Sequence, residues 1–237
     1  MKQNKTEKNL PLALFSTPFS AAYWRGALRA VKSTRLLTTT ALLCSCCALI
    51  DLFFLPIGGA FLRIYFSFLI AGVLCMVSGP VLAVPAGFLV DTLSFLFSGG
   101  DPAGYFPGYA LSSMLIFLIY ALFFFRSSLS LSRIFLAKIT VNVLINVILG
   151  SVWKHFLYGK AYMVYFVSGA IKNIAMLPIE VLLMMILYQR LLSPLKQMHL
   201  IPKTVQVSIR KRDYLICVAA SVIGVIVLIA YYRYKNP

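Results

Sequence analysis

Long apolar runs alternate with short polar or glycine- and proline-bearing breaks along most of this chain. Taking runs of about 17–25 residues as membrane helices predicts spans at 36–55, 62–79, 81–98, 109–126, 133–153, 167–189 and 214–232. Gly79-Pro80 splits what would otherwise be one long run, so the second and third spans form a tight hairpin. No internal repeat is visible. Ahead of the spans, residues 21–33 read as an amphipathic helix on the membrane surface. Trp24, Leu28 and Val31 lie on its lipid side and Arg25, Arg29 and Lys32 on the other. Pro11 and Pro18 interrupt the short apolar stretch before it, and more basic residues follow, which argues against a cleaved signal peptide.

Composition agrees with the pattern. The chain is 61% hydrophobic and only 12% charged, with a mean hydropathy of +0.90, values that belong to an integral membrane protein. Its 22 Lys and Arg stand against 6 Asp and Glu. Most of that excess precedes the first span (Lys2, Lys5, Lys8, Arg25, Arg29, Lys32, Arg35) or follows the sixth (Arg190, Lys196, Lys203, Arg210, Lys211, Arg212). The positive-inside rule puts both regions in the cytoplasm, so a multi-pass protein of the bacterial cell membrane with a cytoplasmic N-terminus is expected. The division is a basic N-terminal segment at 1–35, a membrane domain at 36–192, a basic linker at 193–213 and an extra span with its tail at 214–237. Charge here reads as topology, and a nucleic-acid partner is not expected.

The sequence has no Walker A or G-x-S-x-G motif and no paired carboxylates. Its five cysteines fall inside predicted spans. Neither catalysis nor a cofactor or metal is expected.

Within the apolar runs sit Asp91, Lys138, Asn142, Asn146, Lys172, Asn173 and Glu180. A charge at the centre of a bilayer costs about 2.5–3.5 kcal/mol, so such residues face a bundle interior or a wet cavity. Lys138, Asn142, Asn146 and Gly150 follow at four-residue steps, as do Lys172, Met176 and Glu180, which predicts a polar seam between the fifth and sixth spans. Interhelical hydrogen bonding is the favoured role for Asn142 and Glu180. Lys138 is expected to snorkel to the inner surface. Lys172 and Asp91, each about 10 Å below the outer boundary, are ligand candidates or a mutual ion pair.

The outer connections fall near 55–61, 99–108 and 154–166. The second ends Gly104-Tyr105-Phe106-Pro107-Gly108. The third includes Trp153-Lys154-His155-Phe156-Leu157-Tyr158-Gly159-Lys160-Ala161-Tyr162, aromatics and cations without a carboxylate. That mixture suits an aromatic solute bearing negative charge; an interfacial aromatic belt with snorkelling lysines is the alternative.

In order and spacing, several of these runs resemble one family. Leu62-Arg63-Ile64-Tyr65-Phe66-Ser67-Phe68, Ser78-Gly79-Pro80, Asp91 and Tyr105-Phe106-Pro107-Gly108-Tyr109-Ala110-Leu111-Ser112 resemble the substrate-binding S components of energy-coupling factor (ECF) vitamin transporters. Trp153…Tyr158-Gly159-Lys160-Ala161-Tyr162 and Lys172-Asn173…Leu177-Pro178-Ile179-Glu180 look like the folate branch. The resemblance spans about 20–195. It implies an all-α integral membrane fold, a compact six-helix bundle to which this chain adds a C-terminal helix. It also implies capture of a folate-like molecule and docking on a T component driven by two cytoplasmic ATPases. Candidate ligand residues are Arg63, Asp91, Tyr105, Phe106, Pro107, Gly108, Asn146, Trp153, Lys160 and Lys172. Ala41 and Ser45, resembling the family's Ala-x-x-x-Ala, are candidates for the partner face. Two positions depart from the pattern: Gly150 replaces an Asn and Gly169 an Arg. Another aromatic vitamin or precursor therefore stays open as the ligand, as does a transporter working alone.

Overall fold

The computed structural model describes residues 20–56, 63–98, 104–159 and 161–235. Helix α1 (Ala21–Val31) leads into α2 (Thr34–Asp51), then a hairpin of β1 (Phe54–Pro56) and β2 (Arg63–Tyr65). Helices α3 (Phe68–Ser78), α4 (Pro80–Phe97) and α5 (Pro107–Phe124) follow. A continuous helix runs from Leu131 to Tyr158 as α6 (Leu131–Thr140), a π-helical segment (Val141–Leu149) and α7 (Gly150–Tyr158). The chain closes with α8 (Tyr162–Gln197) and α9 (Lys211–Lys235). A two-residue parallel ladder joins β3 (Leu129–Ser130) to β4 (Val207–Ser208). This is an all-α membrane bundle: among the described residues six helices are long and apolar enough to cross a bilayer, and α3 is a shorter apolar one.

Local chemistry explains the boundaries. Pro80 and Pro107 open α4 and α5, where a missing backbone N–H removes no helical bond. The Ser20 hydroxyl accepts from the Tyr23 backbone N–H at 3.3 Å and starts α1. Gly159, in the left-handed region at φ 68°, ends α7.

Several predicted span bounds need correction. The run beginning at 62 becomes a helix only at Phe68, because Arg63–Tyr65 pairs with Phe54–Pro56. The fifth helix does not stop at Trp153 but runs on to Tyr158, and α8 begins at Tyr162. Hydropathy ends a span at its first polar residues; backbone hydrogen bonding continues until a residue such as Gly159 breaks it.

Successive spans reverse direction, so each end of the bundle gathers alternate helix termini. At one end the Tyr23 hydroxyl donates to the Ala121 carbonyl at 2.9 Å, and the Arg35 guanidinium donates to the Met198 carbonyl. At the other, the Ser94 hydroxyl donates to Asp51 Oδ2 at 2.9 Å, joining the far ends of α2 and α4. Helix α3 occupies the centre; its residues from Ala71 to Ser78 are all buried, as expected of a helix apolar on every side. Tyr120, Phe124, Met184, Met185 and Tyr188 pack around it. Past α8, the chain stays on the bundle: Leu200, Ile201 and Val205 are buried.

Helix α9 lies along α8. A Cβ at Gly224 would fall 2.1 Å from the Ala175 carbonyl oxygen, so only glycine lets the two backbones meet there. Cys217 and Met185 bring their sulfurs to 3.9 Å. Much of α9 between Arg212 and Ala230 is open, with Leu215 75% and Ile223 63% exposed, an apolar surface suited to lipid.

Candidate functional site

At the end of the bundle away from α1, aromatic side chains from three segments meet. The Trp153 indole N–H donates to the Ser112 hydroxyl at 2.9 Å, and that hydroxyl donates to the Gly108 carbonyl at 3.1 Å. The Phe106 ring stands edge-on to Trp153 and Tyr109, both at 5.5 Å between centroids. It also lies against Gly108, where a Cβ would come 2.1 Å from Phe106 Cε1. Pro107 holds this turn as the first residue of α5. Tyr105 packs edge-on against Phe95 at 5.3 Å, its hydroxyl 3.4 Å from that of Thr92. Edge-to-face contacts fix ring planes and leave ring faces available.

Below the rings a chain of polar side chains runs into the bundle. Lys138 Nζ lies 3.3 Å from Glu180 Oε1 and donates to the Tyr120 hydroxyl at 3.4 Å. It also sits 3.8 Å over the Phe68 ring, a favourable site for a cation. The other Glu180 oxygen accepts from Asn142 Nδ2 at 2.9 Å. Asn146 Nδ2 donates to Asn142 Oδ1 at 3.0 Å and reaches Asn173 Oδ1 at 3.5 Å. Asn173 Nδ2 donates to the Gly169 carbonyl at 2.8 Å. Asn142 and Asn146 both belong to the π-helical segment, whose wider turn departs from the register of an ordinary helix.

The seam between the fifth and sixth spans is therefore present, and Asn142 and Glu180 bond across it. Lys138 does not snorkel: it is 2% exposed. A carboxylate, a phenol and a ring face within reach offset the loss of water that otherwise drives lysine to the interface. Asp91 and Lys172 do not pair among the described residues. Asp91 is half-buried on α4, with Asp51 of α2 as a neighbouring charge. Lys172, also half-buried, lies within electrostatic reach of Lys154, Glu180 and Lys138. Lys160 lies outside the described residues, as does the side chain of Arg63.

Two contributors were not singled out from the sequence. Ser112 anchors the indole, and its only earlier signal was membership in the motif run. Lys154 joins Lys172 because α7 continues past Trp153. Gly169 is buried, yet a Cβ there would meet nothing within 4 Å, so open space adjoins the polar chain. On α2, Ala41 and Ser45 are both exposed, one helical turn apart.

The fold and these side chains describe a multi-pass membrane protein that gathers ring faces, amides and lysines toward one end of its bundle. No family model matches the chain. It is 36% identical over 128 residues to the folate transporter FolT of Clostridium novyi (strain NT), covering 54% of this chain and 73% of that one. It is 26% identical over 133 residues to the folate transporter FolT of Leuconostoc mesenteroides subsp. mesenteroides, covering 54% and 71%. The crystal structure of FolT bound with folic acid superposes with a TM-score of 0.61 at 28% identity, covering 67% of this chain and 95% of that chain. The chain belongs to the FolT family of folate transporters, in agreement with the motif resemblance.

Proposed function

We propose that this protein is the substrate-capturing membrane subunit of an ECF-type importer for folate or a folate derivative. The observation that carries the reading is the Phe106–Trp153–Ser112 cluster standing at the same end of the bundle as Lys154 and Lys172. Folate joins flat pterin and aminobenzoyl rings to a glutamate tail, and that end offers ring faces together with ammonium groups. The likeness to a folic-acid-bound FolT structure supports the same ligand.

In this reading Tyr105, Phe106 and Trp153 stack on the ring system, and Pro107 and Gly108 shape the turn that presents Phe106. Asp91 accepts from the pterin amino edge, and Asn146 offers an amide at the floor. Lys172 and Lys160, with Arg63, neutralise the glutamate carboxylates. The residues 1–35 and 193–213 face the cytoplasm, and the protein resides in the bacterial cell membrane. With no phosphate-binding loop in the sequence, energy comes from two cytoplasmic ATPases through a T component docked on the Ala41–Ser45 face, where small side chains permit close helix approach.

Titration of the purified chain with folic acid tests the proposal. Saturable binding by the isolated protein supports it. Absence of folic acid binding, with a different aromatic compound co-purifying, replaces folate by another vitamin; the open space beside Gly169 is the observation that favours that second reading.

A further inference from the structure

Helix α1 carries three parallel stripes, each at i, i+4, i+7 spacing and each displaced by one residue from the last. Tyr23, Ala27 and Ala30, with Gly26, are buried; Tyr23 and Ala27 cluster with Phe125, against which Val81 and Leu122 pack. One step round the helix, Trp24, Leu28 and Val31 are 42%, 55% and 38% exposed. One step further, Arg25, Arg29 and Lys32 are all exposed. The expected amphipathic helix is present, but its stripes number three, because Tyr23 with its small neighbours docks the bundle beside the apolar face.

This order has a physical consequence. A helix held in water needs no open apolar stripe, and a helix sunk in hydrocarbon would not carry three cations. An apolar stripe beside the bundle, with a basic stripe on its other flank, fits the level where acyl chains meet headgroups. The surroundings add more positive charge. Arg126, in the left-handed region at φ 48°, follows the Phe125 that packs on Tyr23, and its guanidinium stands 5.1 Å over the Phe125 ring. Burial, and then the charge of Arg29, push Arg126 below its ordinary value, as two neighbouring cations would. Among the described residues the only carboxylate at this end is Asp213, and it already accepts from the Arg210 backbone N–H at 2.9 Å.

We propose that α1, with Arg126, forms a binding site for anionic phospholipid: Trp24, Leu28 and Val31 contact the acyl chains, and Arg25, Arg29, Lys32 and Arg126 hold the phosphate headgroup. Basic residues close to a membrane surface attract anionic lipid additively and within a Debye length. The site is separate from the proposed folate site, at the opposite end of the bundle.

The sequence contains two tryptophans, so Trp153→Phe leaves Trp24 as the sole indole reporter. That variant is placed in nanodiscs of mixed phosphatidylglycerol and phosphatidylcholine, with either lipid brominated on its acyl chains, and Trp24 quenching is measured. Brominated phosphatidylglycerol is expected to quench severalfold more effectively than brominated phosphatidylcholine. The preference should shrink as salt rises and approach unity in an added R25Q/R29Q/K32Q triple variant, whose changes are all at exposed positions. Equal quenching by the two lipids overturns the proposal in favour of ordinary lipid contact. No quenching by either overturns it in favour of a protein covering the stripe. Loss of the preference on adding millimolar inorganic phosphate overturns it in favour of a soluble-anion site. Folic acid titration of the wild-type chain in the same nanodiscs reads the other end of the molecule, so failure of one proposal is distinguishable from failure of the other.

Discussion

Trp153 and Ser112 are joined by an indole-to-hydroxyl hydrogen bond of 2.9 Å. It ties the last turns of the fifth spanning helix to the first turns of α5 and fixes the plane of the indole that Phe106 packs against. A ring locked in this way presents a flat surface at little entropic cost. Removing the hydroxyl tests whether that orientation matters. Ser112→Ala leaves the indole N–H without this partner, an effect of about 0.5–1.5 kcal/mol. Folic acid affinity should fall roughly 2- to 12-fold with the protein still folded. Ligand binding should also quench Trp153 and leave Trp24 silent, read by comparing the Trp153→Phe and Trp24→Phe variants. A quench that persists in Trp153→Phe and disappears in Trp24→Phe would put the ligand at the wrong end.

The lysines make a second test. Charge-assisted hydrogen bonds contribute about 1.5–3 kcal/mol, so Lys172→Ala should weaken folic acid binding roughly 10- to 150-fold without loss of expression. Lys160→Ala should act in the same direction, and Lys154→Ala, suggested by the longer helix, by a smaller factor. A ligand lacking the glutamate tail should lose most of its sensitivity to these changes. Unaltered titrations in the single and double Lys160 and Lys172 variants would remove the lysines from the site.

The buried Lys138–Glu180 pair should govern stability. Removing one partner strands the other charge at membrane depth, an effect of about 3–5 kcal/mol. Lys138→Met and Glu180→Leu should therefore each lower the thermal midpoint in detergent by many degrees. The double variant should recover much of that loss, since no unpaired charge remains. A double variant as unstable as the sum of the singles would mean that the two residues act independently.

Gly169 offers a change that adds atoms without a clash. A Cβ there meets nothing within 4 Å, so Gly169→Leu should leave the thermal midpoint nearly unchanged. If the open space belongs to the ligand, affinity for folic acid should drop at least about tenfold because the space is filled. Full affinity in a stable Gly169→Leu protein would place the hollow outside the site.

Binding and transport should separate at Ala41 and Ser45. Both are exposed on α2, so Trp at either position can be carried by the isolated protein, and its folic acid titration should match the wild type. Uptake in cells co-expressing the T component and ATPases should fall sharply, because a bulky side chain holds the helices apart. Normal uptake by both variants would move the docking face elsewhere, and robust uptake without those subunits would favour a transporter working alone.

The linear pattern was sufficient for the membrane class, the number of apolar segments and the Gly79-Pro80 hairpin, and it showed rings and lysines clustered in the runs at 105–109 and 153–172. Those features follow from hydropathy and turn chemistry, which are properties of short stretches and accumulate residue by residue. Contacts between distant residues were a different matter. Whether Lys138 snorkels or is buried depends on Glu180, Tyr120 and Phe68 converging on one ammonium group. The strand at Arg63–Tyr65 exists because Phe54–Pro56 lies beside it. Only packing selects Tyr23, Ala27 and Ala30 as the buried face of α1, since Trp24, Leu28 and Val31 form an equally apolar stripe in the sequence. Tertiary structure decided these points because the free energy of a buried charge, a strand edge or an apolar face is set by what lies opposite it, and that neighbour is distant along the chain.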